Sequence, residues 1–178
     1  PALRAALRAR GLDGVFVPHE DEWQNEYLPE CADRLLWLTG FTGSAGAAIV
    51  MADRAVIFVD GRYTLQVTHQ IDPAIFAVAD LVELGPAGWI RAEARKGETI
   101  GYDPRLITPD SLAKLKDAAA AAGARLVPTP DNPIDAVWQG RPPEPLSPVE
   151  PYPEALAGEA SSAKRARLAE GLQKAGAD

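Results

Sequence analysis

The sequence predicts an α/β domain with a mixed β-sheet flanked by helices, followed by a proline-rich segment and one further helix. Segments with apolar residues at helical spacing alternate with short apolar runs through residues 1–140. Two of these runs are joined by Ala52-Asp53-Arg54 and predict an antiparallel hairpin, whereas helices between the later strands favour parallel pairing. A chain of 178 residues, 47% of them hydrophobic, can also bury the core of one globular domain.

The first half of the domain follows from local patterns. Leu3 and Leu7 are spaced by four, and Gly11 supplies a C-terminal signal, so a helix is predicted over residues 3–10. Next come a buried strand, a long acidic loop, a helical turn and the two hairpin strands. These segments are residues 15–17, 19–33, 34–38, 47–51 and 55–59.

In the second half, strands and helices continue to alternate. Pro86 opens one helix, because a proline loses no hydrogen bond in the first turn, and Asp110 and Ser111 lie near the start of another that Gly123 ends. A last helix is predicted from Asn132-Pro133 to about Gln139. The other predicted elements are a helix at 63–70, strands at 74–78, 99–102 and 125–127, and the helix at 109–122.

The composition changes after residue 140. Six prolines crowd residues 141–153, and this density prevents both helices and sheet ladders. We therefore predict a first domain at residues 1–140, a linker at 141–157, and a helix within 158–178 whose N-terminal signal is Ser161-Ser162. In that helix the spacing of Leu168, Leu172, Gly176 and Asp178 repeats the spacing of Leu3, Leu7, Gly11 and Asp13.

Charge and cysteine content exclude several classes of protein. The net charge is −7, which disfavours binding to nucleic acid. Cys31 is the single cysteine, so an internal disulfide and a multi-cysteine metal site are excluded, and a reducing compartment fits best. No apolar run approaches the roughly 20 residues needed to span a bilayer, and no leader pattern precedes Leu3. We expect a cytoplasmic protein without a membrane partner.

Several residues that could carry chemistry have simpler interpretations. Gly40, Gly43 and Gly46 match neither the dinucleotide-binding nor the P-loop spacing, and are interpreted as turn glycines. Ser44 lacks the glycine that a nucleophile elbow requires two residues earlier. His19 and His69 have no carboxylate partners at metal-binding spacing, so no metal ligand is predicted in this chain.

Two other groups remain open. An acidic loop could bind a cation or a peptide amine, or could simply be solvated. Its acidic residues are Glu20, Asp21, Glu22, Glu26 and Glu30. Trp37 and Phe41 could form a ligand platform or belong to the core, and the core is the commoner place for such residues.

The strongest signal is a set of motifs in the first half of the chain. These are Gln24-Asn25-Glu26-Tyr27, Arg34-Leu35, the segment Leu36-Trp37-Leu38-Thr39-Gly40-Phe41-Thr42-Gly43-Ser44-Ala45-Gly46, Asp60-Gly61-Arg62-Tyr63, and Leu65-Gln66. With them the chain resembles the amino-terminal domain of Xaa-Pro aminopeptidases (aminopeptidase P), in the creatinase/prolidase group. It departs from that family at Trp23, where a histidine is common.

The resemblance implies a creatinase N-terminal, ribonuclease H-like fold that is non-catalytic by itself. The whole enzyme would be a cytoplasmic metallopeptidase, a hydrolase that cleaves between an N-terminal residue and a following proline. It would use two divalent ions, manganese in many members, bound in a C-terminal domain, and would assemble as a homodimer. Its metal ligands, two Asp, one His and two Glu, have no counterpart here. In the family's three-domain form, residues 158–178 would be the first helix of a second, truncated domain of the same type.

The resemblance also implies four substrate-binding residues: Gln24, Asn25, Arg62 and Tyr63 would line the cleft. Alternatively, Arg62 pairs with Asp60, and Tyr63 starts a helix and packs. Two other functions stay open: a peptide- or protein-binding module of a peptidase-dead homologue, and a nucleotide-binding α/β domain, which the motif spacing opposes.

Overall fold

A six-stranded sheet is the centre of the computed structural model, which describes residues 1–177. The strands are β1 (Gly14–Pro18), β2 (Gly46–Met51), β3 (Ala55–Val59), β4 (Ala77–Asp80), β5 (Thr99–Tyr102) and β6 (Arg125–Pro128). Their order across the sheet is β4-β3-β2-β1-β5-β6. Strand β2 runs antiparallel to β1 and β3, while the pairs β3–β4, β1–β5 and β5–β6 are parallel. The predicted mixed sheet is therefore confirmed.

Five helices cover the sheet in the first unit, residues Pro1–Glu144. They are α1 (Ala2–Ala9), α2 (Arg34–Thr39), α3 (Thr64–Gln70), α4 (Gly85–Glu93) and α5 (Pro109–Ala121). Helices α1, α2 and α3 contribute Leu7, Leu35 and Val67 to one core layer, and α4 and α5 contribute Ile90 and Leu115 to the other. Because both faces are covered, every residue of β1, β2 and β3 is buried, as expected for central strands of an α/β sheet.

Two helix starts show how the sequence sets these boundaries. The Asp33 carboxylate accepts the Leu36 N–H at 3.2 Å at the start of α2. The Thr108 hydroxyl accepts the Ser111 N–H at 3.3 Å at the start of α5, where Pro109 follows as the first helical residue. Each side chain satisfies an N–H group that has no partner within its helix.

The predicted strand at residues 74–78 is misplaced. The Asp72 carboxylate accepts the Ala74 N–H at 2.9 Å, and the Asp72 carbonyl accepts the N–H groups of Ile75 and Phe76, both at 3.0 Å. This turn occupies the expected start of the strand, so β4 begins only at Ala77.

The predicted helix from Asn132 to Gln139 is wrong. The Asn132 side chain accepts the Ile134 N–H at 3.0 Å, and one helical turn follows, with the Trp138 N–H bonded to the Ile134 carbonyl at 2.9 Å. The Gln139 N–H then bonds to Val137 at 3.1 Å, so the helical ladder does not continue and the segment is a series of turns.

The second unit begins at Pro145. Residues 141–153 have no regular secondary structure. A one-turn helix, α6 (Glu154–Ala157), follows and ends at Gly158, and α7 (Ser161–Lys174) comes next. The N-cap of α7 is Ala160, so the predicted Ser161-Ser162 signal is wrong: these serines are already helical.

Helix α7 buries none of its residues, and Leu168 and Leu172 are exposed. Asp178, the last position of the repeated spacing, lies outside the described residues. Within residues 1–177 no helix is both long and apolar enough to cross a membrane.

Candidate functional site

The predicted site residues lie at one edge of the sheet. Strands β1 and β3 are parallel, and their carboxyl ends lead directly into the loop at 19–33 and the turn at 60–63. Strand β2 begins at the same edge because it runs in the opposite direction. We call this the carboxyl edge. Ligands of α/β sheets are commonly bound outside the carboxyl ends of the strands.

Asp21 organises the loop that carries Gln24 and Asn25. Its carboxylate accepts the N–H groups of Trp23 and Asn25, both at 3.0 Å, and Nδ2 of Asn25 at 2.9 Å. Burial raises the pKa of Asp21, but the hydrogen bonds from Asn25 and Trp23 outweigh it, and the net pKa lies below its usual value. Asn25 therefore holds the loop together, and at least one acid of this loop is structural.

Gln24 and His19 complete the loop. Gln24 has φ of 57°, an uncommon conformation for a residue other than glycine, and its Nε2 donates to the Asp21 carbonyl at 3.1 Å. Nε2 of the buried His19 lies 2.9 Å from the Glu26 carbonyl. These contacts leave Trp23 and Tyr27 on the surface, where 79% and 83% of each residue is exposed.

Glu26, Ser44 and Tyr63 form a hydroxyl cluster that connects the loop to the turn after β3. Ser44 Oγ donates to Glu26 Oε1 at 3.0 Å and lies 3.0 Å from Tyr63 Oη. The Ser44 N–H also donates to Tyr63 Oη at 3.3 Å. The bonds to the Ser44 side chain and backbone lower the pKa of the Tyr63 phenol. The Tyr63 hydroxyl thus takes part in the hydrogen bonds of the cluster. The Tyr63 ring packs edge-on against Phe41, with the ring centroids 5.5 Å apart.

Arg62 lies beside this cluster and is paired with Asp60. Arg62 Nη2 donates to Asp60 Oδ2 at 2.6 Å, and Nε donates to Oδ1 at 3.1 Å. This hydrogen bonding lowers the pKa of Asp60 and raises that of Arg62. The Arg62 side chain is nonetheless 65% exposed, and within residues 1–177 its Nη1 has no hydrogen-bond partner. The internal pair is therefore formed, and Nη1 remains free, while the guanidinium carbon lies 5.1 Å from the centroid of the Tyr63 ring.

A pocket of about 290 Å³ adjoins the cluster on the side of α4 and α5. Gln24 and Ser44 belong to its wall. Its other polar residues are Glu20, Thr108, Ser111 and Lys114, and its larger apolar residues are Phe16, Leu81, Leu106, Ile107 and Leu115.

The glycines of the 40–46 segment permit tight turns and close packing. Gly40 ends α2 with φ of 82°, and a Cβ atom there would lie 2.8 Å from the Gln70 carbonyl oxygen. Gly46 lies in β2, where a Cβ atom would approach the Phe58 carbonyl oxygen to 2.9 Å. Their interpretation as turn and close-approach glycines is confirmed.

The aromatic residues of the same segment differ in exposure. Phe41 is 1% exposed and belongs to the core. Trp37 is 37% exposed and stacks on Trp138, with ring centroids 5.4 Å apart. Both residues therefore have packing roles.

The side chains do not fit a metal centre. Within residues 1–177 no group of three or more His, Cys, Asp or Glu residues could hold a metal ion. His69 Nδ1 lies 3.1 Å from the Leu65 carbonyl on its own helix, far in sequence from the acidic loop. The donor set of a two-metal site is therefore missing from the described part of the chain.

The structure assigns different surroundings to the four predicted residues. Arg62 and Tyr63 lie at the hydroxyl cluster, Gln24 at the pocket, and Asn25 within its own loop. The sequence did not single out Lys114 or the residues after β5 as part of a site. Applying the carboxyl-edge rule to β5 would have pointed to this region, because residues 106–108 follow that strand and Lys114 lies in the first half of α5.

Comparison with known sequences identifies relatives over almost the whole chain. Residues 1–137 match the family described as Creatinase/Prolidase N-terminal domain. The chain is 37% identical over 175 residues to a probable Xaa-Pro aminopeptidase P of Coccidioides posadasii, covering 97% of this chain and 29% of the relative. A protein of the same name from Neurospora crassa is 36% identical over 177 residues, covering 97% and 26%. The chain thus spans less than a third of the length of these relatives.

Solved structures confirm the fold class. An X-prolyl aminopeptidase from Caenorhabditis elegans, described as a cytosolic enzyme with a di-nuclear active site, superposes with a TM-score of 0.89 at 28% identity. That match covers 97% of this chain and 30% of the worm enzyme. The N-terminal domain of the cytoplasmic peptidase PepQ from Mycobacterium tuberculosis gives a TM-score of 0.59 at 27% identity, covering 77% of this chain and 95% of that domain.

Proposed function

The chain belongs to the creatinase/prolidase N-terminal domain family, and from that premise we propose that it is the non-catalytic N-terminal domain of a longer Xaa-Pro aminopeptidase. Such an enzyme hydrolyses the bond between an N-terminal residue and a following proline. The observation that carries the proposal is 37% identity over 97% of this chain to a protein of that name, of whose length the chain covers 29%.

The catalytic metals belong, in this proposal, to the rest of the enzyme. The worm enzyme is described as having a di-nuclear active site, and we propose two divalent ions, manganese by preference, for the full-length protein. Such ions polarise a carbonyl group and supply a hydroxide at neutral pH. The described residues of this chain lack a suitable ligand set, so the chain by itself is inactive.

The role of this domain is to form part of the substrate cleft. Gln24, Asn25, Arg62 and Tyr63 all lie on segments that leave the carboxyl edge. Arg62 is best suited to contact a peptide, because its free Nη1 can donate to a carbonyl or carboxylate oxygen while Asp60 holds the other side of the guanidinium. Tyr63, Gln24 and Asn25 shape the surface beside it.

We also propose the organisation of the longer protein. Helix α7 would be the first helix of a second domain of the same type, because its leucines repeat the spacing of α1 and are exposed where the α1 leucines are buried. Domain boundaries at residues 140 and 157 follow from the proline-rich segment. We propose a cytoplasmic location, which the description of the worm enzyme as cytosolic supports, and a homodimer for the full-length enzyme.

The alternative, a binding module of a peptidase-dead homologue, is less favoured because the proteins matched over 97% of the chain are named as aminopeptidases. A peptide-cleavage assay distinguishes the aminopeptidase from the binding module. Full-length protein should cleave a peptide with proline at position two and spare one with alanine there. The 178-residue chain should cleave neither peptide and should bind no manganese pair by calorimetry. A full-length protein that lacks metal-dependent cleavage would favour the binding module.

The role of Arg62 is tested in the full-length enzyme. Arg62→Ala should lower kcat/KM about 10- to 100-fold, as expected when a charged hydrogen bond to substrate is lost. Arg8→Ala is the matched control, because Arg8 is an exposed arginine on α1, away from the carboxyl edge. Unchanged kinetics together with a large fall in Tm would instead assign Arg62 to structure, through its pair with Asp60.

A further inference from the structure

Apart from Gln24, the residues that line the pocket beside the hydroxyl cluster have no role in the proposed peptidase reaction. Its volume, about 290 Å³, is close to the roughly 300 Å³ at which small-molecule sites begin, so it suits a ligand of amino-acid or dipeptide size. The apolar wall comes from separate parts of the fold. It includes Phe16 on β1, Leu106 after β5 and Leu115 on α5.

Two opposite charges line this apolar pocket: the half-buried Glu20 from the loop after β1 and the exposed Lys114 from α5. Within residues 1–177 neither side chain makes a hydrogen bond or an ion pair. Two other arginines close to a strand end are paired, Arg62 with Asp60 and Arg105 with Asp103. Glu20 and Lys114 are therefore both available to a ligand.

The start of α5 adds to the positive side of the pocket. Thr108 and Ser111, from the N-terminal turn of this helix, lie in the same wall as Lys114. The N-terminus of a helix carries a partial positive charge, which favours a carboxylate at the Lys114 side. The pocket lining thus combines a negative group, a positive group and apolar side chains.

We propose that this pocket binds a small zwitterion with an apolar side chain, meaning a free apolar amino acid or a very short peptide. Its ammonium group faces Glu20, its carboxylate faces Lys114 and the start of α5, and its side chain packs against Phe16, Leu106 and Leu115. The inference requires no peptidase chemistry, so it stands apart from the function proposed above.

The test is an NMR titration of the ¹⁵N-labelled 178-residue chain with L-leucine. The amide signals of pocket residues such as Ala45 and Ala87 should shift and saturate. N-acetyl-L-leucine, which lacks the ammonium, and L-leucinamide, which lacks the carboxylate, should each bind about two- to fivefold more weakly, the range expected for a single exposed charge pair. Equal binding of all three compounds, or the absence of saturable shifts, would overturn the proposal.

Two variants identify the charges. Glu20→Gln should abolish the preference for leucine over N-acetyl-leucine, and Lys114→Gln should abolish the preference over leucinamide. The matched controls Glu22→Gln and Lys116→Gln alter exposed neighbours outside the pocket wall and should leave both preferences intact. Preferences that survive in the Glu20 and Lys114 variants would contradict the proposed orientation and overturn it.

A third variant and the longer protein complete the test. Ala87→Phe fills the pocket from a half-buried position in the first turn of α4, so it should remove the saturable shifts. The full-length protein should bind leucine as the chain does. Leucine binding to the 178-residue chain but not to the full-length protein would mean that another segment covers the pocket, and would overturn the proposed ligand site. If the full-length protein has no aminopeptidase activity, the leucine titration still tests the pocket. The pocket proposal and the peptidase proposal therefore fail separately.

Discussion

Replacing Arg34 by alanine should destabilise the domain more than removal of any exposed arginine. Arg34 begins α2, and its side chain is 4% exposed. Its Nε and Nη2 donate to the two carboxylate oxygens of Asp135 at 2.8 and 2.9 Å. Burial lowers the pKa of Arg34, but hydrogen bonds to Asp135 outweigh this effect and leave the pKa above its usual value. The pair therefore joins α2 to the turns after β6 as a charged, bidentate contact.

The magnitude follows from what remains after the substitution. Removing one partner of a fully buried ion pair costs about 3–5 kcal/mol, because the other charge is left without compensation. Asp135 is 22% exposed and keeps a second partner, Arg141 Nη1, at 2.9 Å. We therefore expect Arg34→Ala to lower the free energy of unfolding by about 2–3 kcal/mol, somewhat below the range for a fully buried pair.

Urea unfolding of the 178-residue chain, followed by circular dichroism, measures this change. Arg10→Ala is the matched control, because Arg10 pairs with Asp131 at 2.7 Å but both side chains are more exposed, at 28% and 56%. This variant should lose less than about 1 kcal/mol. A double-mutant cycle of Arg34→Ala with Asp135→Ala should give a coupling energy above about 1 kcal/mol. Equal losses for Arg34→Ala and Arg10→Ala would refute the argument.

Three further predictions concern stability and domain organisation. Gly40→Ala should lower the free energy of unfolding by about 1–3 kcal/mol in the same urea assay, since the residue has positive φ and its Cβ would press on the Gln70 carbonyl; an unchanged midpoint would contradict the close approach. Burial raises the pKa of Asp103, but hydrogen bonds from a neighbouring arginine and asparagine outweigh burial and hold the pKa in the folded domain below 3.8. As the pH falls, the Asp103 carboxylate is therefore protonated first in the unfolded chain. The stability that this group provides above pH 3.8 should be lost as the pH falls below that value. Asp103→Asn should flatten that decline in urea midpoints measured between pH 5.5 and 3. Limited proteolysis read by mass spectrometry should cut first within residues 141–164 and leave a folded fragment near residues 1–140. Early cleavage inside residues 36–63 would show that these residues do not belong to the folded core.

Local patterns in the sequence were sufficient for most of the elements and for the fold class. The hairpin of β2 and β3 could be predicted because two apolar runs are separated by a short polar turn. The ends of α1 and α5 could be predicted because a glycine lies two residues beyond each of them. The family resemblance depended on residues that are consecutive in the chain, such as Asp60-Gly61-Arg62-Tyr63. These signals act over a few residues, so the sequence contains them completely.

Two elements were misjudged because side chains compete locally with the backbone. Asp72 accepts the Ala74 N–H, and this turn displaces the start of β4. Asn132 likewise accepts the Ile134 N–H, but only one helical turn follows, because the Gln139 N–H bonds to the Val137 carbonyl. Composition and periodicity do not reveal which carboxylate or amide will make this bond. The outcome depends on the neighbouring packing.

The sequence by itself determined the mixed α/β class, the family, and the four candidate residues Gln24, Asn25, Arg62 and Tyr63. Only the tertiary structure decided what each of these side chains contacts. Ser44 joins Glu26 to Tyr63 across 18 and 19 residues of sequence, and Arg34 meets Asp135 across 101. The pocket likewise draws its wall from β1, β2, α4 and α5. Hydrogen bonds and cavities depend on distances in space, and residues far apart in the chain come close only when the sheet order and helix packing are set.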